Sequence, residues 1–220
     1  MFLKKSVKFF LKNMKYQFLL LTLSLFFGMG IPEISKKVRR NYCSVCGIIK
    51  RYVMNRYGIE ANFTVLATGH NLDDEASFAL GSILNFDFQR VGKEKIILPP
   101  KIKALKKIKP LSLVTEKEVA AYAILNGIDY IYDECPYSKG ATSLVYKSAL
   151  NLIEERSPGT KLRFFKKVAE GKDLFREEKD ISEDSEEKFC SICGYLTYRE
   201  KCNFCLISEK LSVENKVRSN

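Results

Sequence analysis

The chain has 220 residues, 46% of them hydrophobic, and a formal net charge of +11. That length allows one main domain with a small satellite, and the apolar content supplies a globular core. The charge favours polyanionic partners, nucleic acid before an anionic membrane. Seven cysteines in mostly short C-x-x-C pairs exclude a disulfide scaffold and point to metal chemistry in a reducing, cytoplasmic compartment.

Along the chain, Lys4, Lys5, Lys8, Lys12 and Lys15 precede an apolar run from Phe18 to Phe27. This is the layout of a signal peptide or anchor. The run is short for a membrane span, however, and no small-x-small cleavage site follows, so an N-terminal extension is the favoured reading. From Met1 to Glu60 there are 8 Lys and 4 Arg against 2 Glu, which concentrates the positive charge there. Residues 35–57 read as basic and helical beyond Cys43 and Cys46. Ile48, Ile49, Tyr52 and Val53 recur at helical spacing, and Gly58 is the expected stop.

Asn62 to Ala67 reads as a buried parallel strand. Thr68-Gly69-His70-Asn71 makes a turn, and a helix follows from about Leu72 to Asn85 with Asp73, Asp74 and Glu75 in its first turn. A strand end, a glycine turn and a helix N-terminus form a pocket where ligands bind, and paired acids there can hold magnesium or steer a proton. The same acids equally suit plain helix capping, and the single His70 equally suits a structural turn. The run Lys93–Lys109 holds 7 Lys and 1 Glu, either a solvated face or a phosphate-binding one. Within it, Ile96 to Leu98 is an expected strand closed by Pro99-Pro100.

Thr115-Glu116-Lys117-Glu118 is a capping box opening a helix through Leu125, ended by Gly127. Ile128 to Tyr132 is the next expected strand. An amphipathic helix spans Thr142 to Arg156, and Ser157-Pro158 is the expected cap of another to about Glu170. This alternation argues for a parallel α/β sheet. Residues 172–188, with 8 acids against 4 bases, read as a linker.

Beyond it, Cys190, Cys193, Cys202 and Cys205 form two C-x-x-C knuckles, a closed all-sulfur set suited to structural zinc in a rubredoxin-like ribbon. Gly194 fits the tight turn after the first pair. Cys43, Cys46 and Cys135 remain. They read either as buried thiols or as an incomplete set holding a cluster with one open position. Lys50, four residues after Cys46, shares its helical face.

Three segments in order carry a resemblance: Cys43 to Tyr52, Ala67 to Ala76 and Asp133 to Ser138. They resemble the TtcA/TtuA-type tRNA 2-thiolation enzymes, and most closely the archaeal TtuA-like branch with its C-terminal zinc ribbon. The resemblance runs from about Gly30 to Leu206. It implies an α/β fold, a partial parallel-sheet adenine-nucleotide α-hydrolase-like (N-type ATP pyrophosphatase) domain with a small zinc ribbon. It implies a [4Fe–4S] cluster on Cys43, Cys46 and Cys135, with one iron free to carry sulfur. It places Lys50 and Asp74 beside ATP and cluster, while Gly69, His70, Asn71, Asp73 and Asp74 of the strand-end turn are the expected lining for ATP and magnesium. The implied reaction adenylates the uridine C2 oxygen of a tRNA and replaces it with sulfur. The implied partners are tRNA, a sulfur-carrier protein and a second copy of the chain, in the cytoplasm and away from membranes.

Family members also carry an N-terminal zinc knuckle and a Ser-Gly-Gly-x-Asp-Ser loop that cradles pyrophosphate. No Ser-Gly-Gly occurs in this sequence. The expectation is therefore an N-terminally truncated homologue with weak ATP binding and exposed sheet edges. It would comprise an unmatched segment 1–29, an α/β body 30–171, a linker 172–188, a ribbon 189–207 and a tail 208–220. Two alternatives stand beside sulfur transfer: a catalytically inactive zinc-ribbon protein that binds tRNA, and a membrane-tethered metal protein relying on Phe18–Phe27.

Overall fold

The computed structural model describes residues 27–91, 96–130, 135–138, 140–171 and 188–217. The apolar run ending at Phe27, the acidic stretch 172–187 and residues 131–134 lie outside these, apart from Phe27 itself. Helix α1 spans Ile31–Val38, with Pro32 in its first turn and Glu33 accepting from the Gly30 N–H at 2.6 Å. Helix α2 spans Tyr42–Glu60 and is capped by Asn41, whose side chain accepts from the Cys43 N–H at 2.9 Å. Gly58 does not stop it. That glycine is buried, and a Cβ there would meet Leu105 Cδ1 at 2.4 Å, so its role is close packing.

Strand β1 is Val65–Ala67, and α3 is Leu72–Leu84. A short α4, Phe88–Val91, precedes β2, Ile97–Leu98, and β3, Lys106–Ile108. The sheet order is β1-β3-β2, with β1 parallel and β2 antiparallel to β3. The sheet is thus mixed, not parallel as expected. The link from β2 to β3 is a short turn through the Lys101–Ala104 bridge, too short for a parallel crossover. The central strand is Lys-Lys-Ile, drawn from the basic run read as a surface.

Helix α5, Glu116–Leu125, opens on the expected Thr115–Glu118 capping box. It closes with Gly127 at φ 61°, where Ile128 donates to the Ala123 carbonyl at 2.8 Å and Gly127 to Ile124 at 3.1 Å. This helix-terminating pair uses the Ile128 N–H, and Ile128–Tyr130 form no strand, contrary to the sequence reading. Helix α6 spans Thr142–Arg156 and α7 spans Thr160–Glu170. The cap of α7 is Gly159 at φ 83°, not Ser157-Pro158. The Glu154 carboxylate accepts from the Gly159 and Lys161 N–H groups at 2.7 and 2.8 Å.

Strands β4, Lys188–Phe189, and β5, Leu196–Thr197, pair antiparallel before α8, Asn203–Val217. Helix α8 runs on past the expected ribbon boundary, and Leu211 within it is buried. Among the described residues no helix is long and apolar enough to cross a membrane.

Two cores result. Ile34, Val38, Val45, Ile49, Ile207 and Leu211 pack α1, α2 and α8 together. Leu72, Ala76, Leu150 and Phe165 pack α3 between α6 and α7. The buried Asp73–Lys161 pair at 2.6 Å ties α3 to α7, and Glu75–Lys109 at 2.5 Å ties α3 to the end of β3.

Candidate functional site

The four C-terminal cysteines converge. Their sulfurs all lie within 4.8 Å of one another, and Cys193 and Cys202 are 3.7 Å apart. A tetrahedron with metal–sulfur bonds of about 2.3 Å spaces its sulfurs by about 3.8 Å, so the set fits one ion. Gly194, at φ 66°, makes the knuckle turn by donating to the Cys190 carbonyl at 2.9 Å. Burial pushes the Cys190 thiol up, but backbone N–H groups of Cys202, Cys193 and Ile192 outweigh it and bring it down to about 6. Burial, reinforced by neighbouring sulfur, pushes Cys202 up to about 11 and Cys205 higher still. A dication would relieve that crowding, because it favours the thiolates.

Among the described residues these four form the only His, Cys or acidic group close enough to share one ion. Cys43, Cys46 and Cys135 therefore do not make a mononuclear site. Cys43 and Cys135 are exposed and Cys46 is half-buried. At about 100° per residue, Cys43, Cys46 and Lys50 fall within about 60° on one face of α2. The Cys135 carbonyl accepts from Ser138 N–H at 2.9 Å and Ser138 Oγ at 2.7 Å, forming a tight turn around Pro136. Tyr137 in that turn packs on Tyr42, ring centroids 5.2 Å apart. That contact docks the Cys135 turn against the first turn of α2. The structure thus brings the Cys135 turn to the helix end that bears Cys43 and Cys46.

A cleft of about 410 Å³ is lined by Arg51 from the middle of α2 and by His70, Asp74, Lys109, Ser143 and Lys147. Asp74 is both a cap and a site residue. One oxygen accepts from the Asn71 N–H at 3.2 Å, while the other meets Lys147 Nζ at 2.9 Å. Lys147 also meets Glu116 at 3.2 Å. Burial lowers the Lys147 pKa, but Asp74 and Glu116 outweigh it and hold the ammonium raised. Asp73 turns inward to Lys161 and accepts from the Glu116 N–H at 2.7 Å. Gly69 and His70 are exposed, and His70 Nδ1 lies 3.0 Å from Thr68 Oγ1, which suits the turn role.

Lys147 escaped the sequence reading, in which Arg51 and Lys109 figured only as members of the Cys43–Tyr52 segment and of the basic run. Arg51 was adjacent to the singled-out Lys50, but nothing local marks Lys147. The basic run disperses: Lys103 lies over the Phe189 ring at 5.5 Å, Lys107 is half-buried in the central strand, and Lys109 meets Glu75. Burial, then the neighbouring Arg51 charge, lowers the Lys107 pKa.

A mixed α/β body with a four-cysteine ribbon, a second cysteine face and an ionic cleft has counterparts among known proteins. No protein-family model matches the chain. It is 48% identical over 178 residues to the tRNA-5-methyluridine(54) 2-sulfurtransferase of Pyrococcus horikoshii, covering 81% of this chain and 56% of that protein. It is 40% identical over 196 residues to the Thermus thermophilus protein of the same name, covering 89% and 60%. Among solved structures it resembles the U34-tRNA thiolase NcsA from Methanococcus maripaludis with its [4Fe-4S] cluster. That match has a TM-score of 0.72 and 28% identity, over 94% of this chain and 64% of the other. These likenesses support the TtcA/TtuA family for the chain, which spans just over half the length of these curated relatives.

Proposed function

We propose that the chain takes part in ATP-dependent sulfur transfer to a tRNA uridine, forming 2-thiouridine. Cys43, Cys46 and Cys135 would hold a [4Fe–4S] cluster, and Cys190, Cys193, Cys202 and Cys205 a structural zinc. The observation that carries this reading is the docking of the Cys135 turn, through Tyr137 on Tyr42, against the helix face bearing Cys43, Cys46 and Lys50. When bound, a cluster on three thiolates supplies one iron not ligated by protein, which can carry a transferable sulfide.

The chain's own residues do the rest. Lys50 presents a cation on the cysteine face. Asp74, paired with Lys147 at 2.9 Å, borders the cleft where nucleotide and magnesium would sit at Gly69, His70 and Asn71. Asp73, 3% exposed and bonded to Lys161, holds the turn rather than meeting ligand. The +11 charge draws tRNA through its phosphates. The body would be part of an N-type ATP pyrophosphatase domain. The +11 charge also suits a second reading, a tRNA-binding protein that retains the metals without catalysis.

Anaerobically reconstituted chain, incubated with unmodified tRNA, ATP, magnesium and sulfide, separates the two. Thiolated tRNA that disappears in Cys135→Ala supports transfer. Salt-sensitive tRNA binding without thiolation supports the second reading.

A further inference from the structure

Helix α2 has two working faces. One carries Cys43, Cys46 and Lys50. Another, Val45, Ile49, Tyr52 and Val53, follows the i, i+4, i+7, i+8 spacing of a packed stripe. Val45 lies between the two cysteines in sequence and is fully buried, as is Ile49. Both pack in one core with Ile207 and Leu211 of α8.

Helix α8 grows directly out of the second metal knuckle, since Asn203 and Phe204 stand between Cys202 and Cys205. Phe204 stacks on Tyr52 with centroids 3.8 Å apart and planes 7° from parallel, and Tyr195 packs on the same ring at 5.2 Å. The Tyr52 hydroxyl accepts from Arg56 Nη1 at 2.9 Å and also reaches the Cys193 sulfur. Val53 and Phe204 belong to both the α1–α2–α8 core and the cysteine core, so the two are continuous.

We infer that Tyr52, stacked on Phe204 and packed against Tyr195 of the ribbon, is the positioning residue that holds the Cys43–Cys46 face of α2 in register for its cluster. Metal in the ribbon thereby fixes a second, distinct metal-binding face. A helix end with exposed cysteines opens locally unless its buried side is anchored. Here the anchor is a knuckle closed by four thiolates, and it grips α2 two turns from Cys46. The inference rests on the cluster reading above only for its spectroscopic arm.

The test uses the full chain loaded with zinc. Amide hydrogen exchange is measured over residues 43–50 without iron, and the lifetime of the visible iron–sulfur band is measured after anaerobic reconstitution. Tyr52→Ala should retain zinc and leave α3 exchange unchanged. It should speed exchange over 43–50 by about tenfold or more, and shorten the band's lifetime by a similar factor. Tyr52→Phe, which keeps the stack, should restore both. Should Tyr52→Ala shed its zinc, Tyr52→Leu, which keeps bulk without the stack, takes its place with the same expectation. Unchanged exchange over 43–50 in a zinc-loaded variant overturns the inference. Wild type that binds no iron while the exchange arm responds refutes the cluster reading and leaves the coupling standing.

Discussion

Val45, Ile49 and Ile34 are fully buried where α1, α2 and α8 meet, whereas Val65 in β1 is 40% exposed and Leu125 in α5 is 85% exposed. On the ribbon side, apolar stripes from three helices close on one another and on the four-cysteine knuckle. On the sheet side, β1 pairs only with β3 among the described strands, and α5 has no buried residue. Parallel strands are normally covered on both faces, so these strands and α5 draw little from apolar burial, and the burial on this side is confined to α3, α6 and α7 around Phe165. Ion pairs reinforce that core: Asp73–Lys161, Glu75–Lys109 and Asp74–Lys147 tie α3 to α7, β3 and α6. Stability on the ribbon side should therefore answer to metal, and on the sheet side to charge.

The largest effect should come from Cys193→Ala. Structural zinc contributes on the order of 10 kcal/mol to small metal-folded units. The variant should lose zinc by elemental analysis and exchange protection through α8, while α3, α6 and α7 keep theirs. Uniform loss across the chain would erase the contrast between the two sides.

Next is Asp73→Ala, which leaves the buried Lys161 ammonium without its carboxylate. Urea unfolding should show a loss of about 3–5 kcal/mol at neutral pH. Burial raises the Asp73 carboxyl, but Lys161 and the Glu116 N–H outweigh it and hold it below its ordinary value. Its contribution is therefore complete above the unfolded value of about 3.9 and is lost as pH falls through the lower folded value. Wild type should lose stability steeply on acidification below about pH 4, and the variant's curve should be flatter there.

Gly58→Ala should cost about 1–3 kcal/mol, since its Cβ would press on Leu105 at 2.4 Å. Leu125→Ser should change the thermal midpoint least, within about 0.5 kcal/mol, because the side chain is 85% exposed. A marked loss there would show that α5 packs on something in solution.

What was legible in the sequence follows from locality. The cysteine knuckles, the Thr115–Glu118 box and the acids opening α3 bond within a few residues, so spacing reveals them. The partners of those acids do not: Asp73 finds Lys161 across 88 residues, and Lys147 finds Asp74 from another helix. Strand β3 was hidden because Lys-Lys-Ile reads as solvated, and only pairing on both sides makes it a strand. Ile128–Tyr130 misled in the opposite sense, an apolar β-rich run whose first N–H closes a helix. Cys43, Cys46 and Cys135 could be grouped through a family resemblance. The Tyr42–Tyr137 contact supporting that grouping spans residues no local pattern connects.

The most direct test is anaerobic reconstitution of the zinc-loaded chain with iron and sulfide, followed by metal analysis. About four iron per chain and a visible iron–sulfur band are expected in wild type. Both should be lost in Cys43→Ala, Cys46→Ala and Cys135→Ala, while zinc stays bound. No iron uptake by wild type, or full iron retention in Cys135→Ala, would contradict the cluster reading.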